Sequence, residues 1–133
     1  MKISTKGRYS INLLVDLAQH RSSGYISLRD IAARQGISKK YLEQIVPVLN
    51  RGGIVSTNRG YNGGYRLAIS PDRCTVGQVL RLTEGSPSSV SQYDDDTTCF
   101  VWKGLDEAVN NYLDSISIQD IIDSELQSFD YVV

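Results

Sequence analysis

Ile11, Leu14, Val15 and Ala18 recur at i, i+3, i+4 and i+7, one face of a helix, and Leu13 and Leu17 widen that face. The spacing predicts a helix over about residues 4–21, buried on more than one side. Ser22-Ser23-Gly24 ends it, and Tyr25–Ile26 offers a short strand. Ser27 with Asp30 three residues on reads as an N-cap, so a short helix follows to about Gln35 and stops at Gly36. Ser38 caps a third helix over about 39–51, closed by Gly52-Gly53. Pro47 inside it removes a hydrogen bond to the carbonyl of Glu43, which predicts a bend near residues 43–47. Two short helices joined by Gln35-Gly36-Ile37-Ser38 form a helix-turn-helix pattern. Ala32 lets the helices cross closely, and Gly36 takes the positive φ of the turn.

Two β-rich runs, 53–57 and 65–69, flank Asn58-Arg59-Gly60-Tyr61-Asn62-Gly63-Gly64 and predict a hairpin with a loop longer than two residues. Helix-turn-helix followed by hairpin is the winged-helix order. Thr75 and Gln78 start another helix, about 76–84, ended by Gly85. Residues 86–98 read as a polar linker. A long helix over about 99–116 then carries Val101, Leu105, Ala108, Val109, Tyr112 and Ile116 on one side, with Trp102 and Leu113 at the margin. A stripe this wide either packs back on its own domain or meets a second copy of itself; a symmetric dimer is the simpler solution. Ser117 and Asp120 open a last short helix, and the apolar ending Ser128–Val133 is either docked or offered to a partner. The fold class is therefore mainly α with a small β-hairpin wing. The expected units are a winged helix-turn-helix domain at 1–85, a linker at 86–98, and a dimerisation helix with its tail at 99–133.

Net charge changes the picture only when it is divided. The whole chain of 133 residues carries −1, but residues 1–73 hold twelve Lys and Arg against four Asp and Glu, whereas residues 74–133 hold two against eleven. A half at +8 joined to a half at −9 points to a polyanion-binding module attached to a different one. No apolar run reaches the length of a membrane span, and no apolar segment follows the basic start, so no membrane partner and no secretory leader are expected. Two cysteines, Cys74 and Cys99, do not make a disulfide framework; free thiols and a cytoplasmic location are expected. The single histidine, His20, has no nucleophile pattern around it. No phosphate-binding loop, zinc spacing or paired catalytic carboxylates stand out, so an enzyme is not expected, and neither a metal nor another cofactor is assigned.

Three stretches together, Met1–Ser10, Ser27–Val46 and Arg59–Leu67, resemble the Rrf-two (Rrf2) family of bacterial transcription regulators. The resemblance continues through Thr75–Gly85 and Val101–Ile121 and omits the linker. It implies a homodimeric winged-helix protein, commonly a repressor, bound to an inverted-repeat operator in double-stranded DNA. The family's wing arginine corresponds to Arg59, a guanidinium suited to a narrow minor groove. Beside it, Tyr61 either packs the wing or donates to phosphate, and core packing is favoured for Tyr65. Ser38, Lys39, Lys40, Tyr41 and Gln44 are the polar positions expected to be exposed at the start of the recognition helix. Gln44 can read an adenine edge, and the lysines suit phosphate. Glu43 matches a position that tunes sequence choice in the IscR-like relatives. Lys2, Lys6 and Arg8 are further backbone clamps.

Sensing is where the resemblance divides. The iron–sulfur branch carries three linker cysteines; this linker region has Cys99 alone, aligned with that branch's fourth, non-cysteine ligand. The pattern is nearer the cluster-lacking, CymR-like branch, whose members work with cysteine synthase through a C-terminal tail, here ending in Val133. That branch implies a link to cysteine or sulfur metabolism. Thiol chemistry at Cys99 is the other reading, although Asp94 to Asp96 beside it work against a thiolate. An iron–sulfur sensor and an interaction module that has lost DNA binding remain as alternatives.

Overall fold

In a computed structural model, residues 2–60, 63–85 and 96–132 are described. Tyr61, Val133 and all of the linker up to Asp95 lie outside them. The order is α1 (Thr5–Gln19), α2 (Leu28–Gln35), α3 (Lys39–Arg51), β1 (Val55–Asn58), β2 (Gly64–Leu67), α4 (Val76–Glu84), α5 (Cys99–Asp114) and α6 (Ile118–Val132), with single 3-10 turns at Arg21–Ser23 and Pro71–Arg73. This is a mainly helical fold with one antiparallel hairpin, as the pattern predicts.

The anticipated caps form. Ser27, Ser38 and Thr75 each accept a hydrogen bond from the backbone N–H three residues on, at 3.2, 3.1 and 3.1 Å. Ser117 and Asp120 cap each other reciprocally, at 2.9 and 3.0 Å. Each such cap contributes about 1 kcal/mol. Gly36 ends α2 in the left-handed region, at φ 65°. α3 runs unbroken past Pro47. The short strand expected at Tyr25–Ile26 is a single antiparallel bridge from Ile26 to Tyr65, with both backbone hydrogen bonds at 2.8 Å.

α1 is the central element. It touches α2, α3, α4, α6 and β2, which explains its broad apolar face. Leu13, Leu14 and Leu17 of α1, Ile31 of α2, and Leu42, Ile45 and Leu49 of α3 are no more than 1% exposed. Each such burial contributes about 1.5–3 kcal/mol. Ile54 joins this core and accepts from the Ala68 N–H at 2.8 Å, fixing the hairpin to the end of α3.

Two features differ from the sequence expectation, and a third went unanticipated. α5 ends at Asp114, with Ser115 capping it, so Ile116 lies in the connection and not on the helix. There the Ile116 carbonyl accepts from Val76, and Ile118 donates to the Cys74 carbonyl. The last helix is not short: it runs 15 residues, because Ile118 enters the core and Ile121 and Ile122 pack against it. The third is a buried carboxylate. Asp16 of α1 is 2% exposed and accepts from Arg34 Nε at 3.0 Å, Arg34 Nη2 at 2.7 Å and Gln35 Nε2 at 3.0 Å.

Burial by itself pushes the Asp16 carboxyl up; the hydrogen bonds from Arg34 and Gln35 and the Arg34 charge outweigh it and hold the group below its ordinary value of 3.8. A depressed folded-state value means stability that is present above the ordinary value and lost as pH falls through the folded one. Asp16→Asn is expected to cost about 2 kcal/mol near neutrality, a figure restrained by the partial exposure of Arg34. In urea unfolding the gap between wild type and variant narrows once pH drops below about 3.8.

Candidate nucleic-acid interface

The recognition helix α3 presents a narrow strip of polar side chains because its other face is core. Ser38, Lys39, Lys40, Glu43 and Gln44 are exposed, while Leu42, Ile45 and Val46 are buried. Tyr41 differs from expectation: it is half-buried, with its ring edge-on to Tyr9 at 5.5 Å between centroids. Its packing joins α3 to α1. Lys39 and Glu43 stand one turn apart, Nζ to Oε1 4.0 Å, on an open surface where such a pair is weak.

The wing sits beside α3. Val55 pairs with Leu67, Ser56 with Arg66, Thr57 with Tyr65 and Asn58 with Gly64, leaving a five-residue loop. Tyr65 and Leu67 are half-buried against the core, as favoured for Tyr65. Two glycines are required here. Gly60 has φ 131°, which side-chain-bearing residues rarely adopt. Gly64 passes so close to the main chain of Ile26 that a Cβ would collide with it.

Between the first turn of α2, the strip on α3 and the wing lies a cleft of about 410 Å³. Arg29, Lys39, Glu43, Arg59 and Tyr65 are among its lining residues. A smaller groove, about 240 Å³, also lined by Arg59 together with Asn50, Arg51 and Thr57, runs along α3. Arg59 is exposed immediately after β1. The arrangement thus brings Lys39, Glu43 and Arg59 together and adds two cations the sequence reading did not single out, Arg29 and Arg51. Arg29 had a legible signal: it lies two residues after a cap, in the first turn of the helix preceding the recognition helix. Arg51 sits in the last turn of α3, where a basic side chain also faces the carboxyl end of the helix dipole.

The other candidates lie elsewhere. Lys2 and Arg8 are exposed and Lys6 is half-buried, all at or before the start of α1. Lys40 and Gln44 lie on α3 outside the cleft lining. Cys99 is the half-buried first residue of α5; its N–H donates to the Asp96 carbonyl at 3.2 Å. Cys74 is buried in the core, which pushes its thiol up to about 11.

The sequence model of Rrf2, described as iron-dependent transcriptional regulator, matches residues 3–124. The chain belongs to the Rrf2 family. The regulator CymR of Bacillus subtilis is 39% identical, over 91% of this chain and 89% of its own. The regulator IscR of Aliivibrio salmonicida is 36% identical, over 96% of this chain and 81% of its own. Among solved structures, that of B. subtilis CymR superposes with a TM-score of 0.82 at 38% identity, covering 91% of this chain and 95% of that one. The IscR of T. potens gives 0.81 at 41% identity, covering 94% and 88%. This Rrf2 protein is accordingly a transcriptional regulator of the IscR/CymR type with a winged helix. No helix among its described residues is long and apolar enough to cross a membrane.

Gly64→Ala is expected to break the Ile26–Tyr65 bridge and cost about 1–3 kcal/mol through overpacking. Thermal unfolding measures the loss, and amide hydrogen exchange at Ile26 and Tyr65 locates it.

Proposed function

We propose that this Rrf2 protein is a homodimeric repressor that reads an inverted repeat in duplex DNA. The observation that carries the reading is the convergence of Arg29, Lys39 and Arg59 on one cleft between recognition helix and wing. In it, Arg59 enters the minor groove, Lys39, Arg29 and Arg51 hold phosphates, and Gln44 and Glu43 face base edges in the major groove. Lys2, Lys6, Arg8 and Lys40 supply outlying phosphate contacts. Ser38 caps the helix, whose free N–H groups favour an anionic oxygen. Tyr41 acts by holding α3 against α1.

The dimer reading rests on α5. Phe100 is 76% exposed and Tyr112 64%, and Val101, Trp102 and Leu105 are also exposed. A second α5 crossing this face would bury them. Repression follows from occupancy of a promoter.

The regulator is proposed to work without an iron–sulfur cluster. Such clusters need about four ligands, mostly thiolates. This chain has two cysteines, one locked in the core, and among the described residues no group of three or more His, Cys, Asp or Glu could hold a metal. The donor set does not fit the group. A tie to cysteine metabolism is supported by the likeness to B. subtilis CymR, whose structure is called that of the global cysteine regulator. Capture of the C-terminal tail by cysteine synthase is part of that proposal.

Arg59→Ala is expected to weaken operator binding at least tenfold in a gel shift, and Arg29→Ala to lower the slope of log affinity against log salt by about 2, one contact from each protomer of the dimer. An Arg59→Ala protein binding as wild type would remove the wing assignment. Leu105→Arg is expected to give a monomer by light scattering and to lose inverted-repeat binding while remaining folded by circular dichroism.

A further inference from the structure

The wing sheet has a second face. Val55, Tyr65 and Leu67 turn toward the core, so by strand alternation the paired Ser56 and Arg66 stand on the opposite side. There a separate cleft of about 500 Å³ opens, lined by Arg21, Ser56, Arg66 and Ser70 together with Leu67, Ala68 and Ile69. Among the described residues it shares no lining residue with the recognition cleft and contains no carboxylate. The Arg66 guanidinium lies 4.5 Å from the centre of the Tyr25 ring, which holds its planar fork in place. Neither Arg21 nor Arg66 forms an ion pair among the described residues. Two unpaired guanidiniums and two hydroxyls on an apolar floor make a donor-rich recess without an acceptor of matching charge. Guanidinium forks match tetrahedral oxyanions by paired hydrogen bonds.

We propose that this outer-face cleft binds a phosphate-type oxyanion between Arg21 and Arg66, with Ser56 and Ser70 as flanking donors. The same chemistry is offered by a free phosphate-bearing small molecule and by a backbone phosphate of duplex DNA. A small-molecule anion there would lie on the reverse side of the hairpin that carries Arg59, within reach of wing position. A backbone phosphate would extend the duplex footprint past the wing.

Calorimetric titration of the full chain with inorganic phosphate, against chloride at matched ionic strength, tests the site without requiring DNA binding. Saturable binding is expected for wild type and for Arg59→Ala. It is expected to weaken at least tenfold in Arg21→Gln/Arg66→Met, and at least threefold in Arg21→Gln alone, which keeps the Arg66–Tyr25 stack should the double variant fold poorly. Salt titration of binding to a mixed-sequence duplex separates the sources. A slope lowered by about two in the double variant assigns the site to the DNA backbone; an unchanged slope with phosphate binding lost assigns it to a free ligand. Phosphate binding undiminished in both variants, or no phosphate binding in wild type together with an unaltered slope, overturns the proposal.

Discussion

The carboxylate of Asp16 is the point on which the orientation of the reading head depends. Apolar packing is non-directional: Ile31 and Leu28 would tolerate some rotation of α2 over α1 at little cost. A desolvated charge does not tolerate it. Asp16 needs donors at defined positions, and Arg34 and Gln35, both from the last turn of α2, supply them. α2 has eight residues, too few to be a stable helix alone. Its rotation is set by that pair, and the turn at Gly36 and the cap at Ser38 pass the setting on to α3. The placement of Lys39 opposite Arg59 is thus decided partly in the core, far from any ligand.

A second constraint comes from α5. Its inner side meets α4 through a close approach at Gly77 and through Arg81, which donates to Asp114 at 2.7 Å and to Asn110 at 3.1 Å. The single helical residue with a buried side chain is Asp106, and the large apolar groups point outward. This inverts the usual arrangement of an amphipathic helix in a monomer. Burying Phe100, Val101, Leu105 and Tyr112 is worth several kcal/mol on area alone, a gain that works against the cost of bringing two chains together. The proposed dimer answers that imbalance and would also set the spacing of its two reading heads, because α6 ties the same segment back to α1 through Ile118 and through Gln19 and Glu125.

What could be read from the sequence was local. Ser27, Ser38, Thr75 and Ser117 act as caps because capping involves neighbours three residues apart. The helix-turn-helix, the hairpin and the breadth of the α1 face follow from periodicity in the same way. The parts that were not legible depend on distant partners. Nothing local marks Asp16 as buried; its partner Arg34 lies 18 positions on. Tyr41 looks exposed until Tyr9 packs on it. The length of α6 depends on a seat for Ile118 in the core, which no local pattern reveals. Arg29 joins the recognition cleft only because the wing folds back beside α2. Sequence reading found the elements of the site, and tertiary packing decided which side chains meet in it.

The charge division of the chain takes on a physical meaning in this geometry. A net charge of −1 would oppose association with DNA if it acted as one point. It does not, because screening confines each charge to about 10 Å at 0.1 M salt. In the proposed complex a phosphate in the recognition cleft would therefore feel Arg29, Lys39 and Arg59 at close range, with Glu43 as the one carboxylate among the described lining residues. The described part of the acidic half is spent elsewhere: Asp114 on Arg81, Glu125 on Gln19, Asp120 on the cap of α6. None of residues 96–132 lines the cleft. The described acidic residues leave the cationic groove uncovered, and in the proposed complex their repulsion disfavours an approach of DNA along α5 and α6. In the proposed complex that division would orient the protein on a duplex before any base is read.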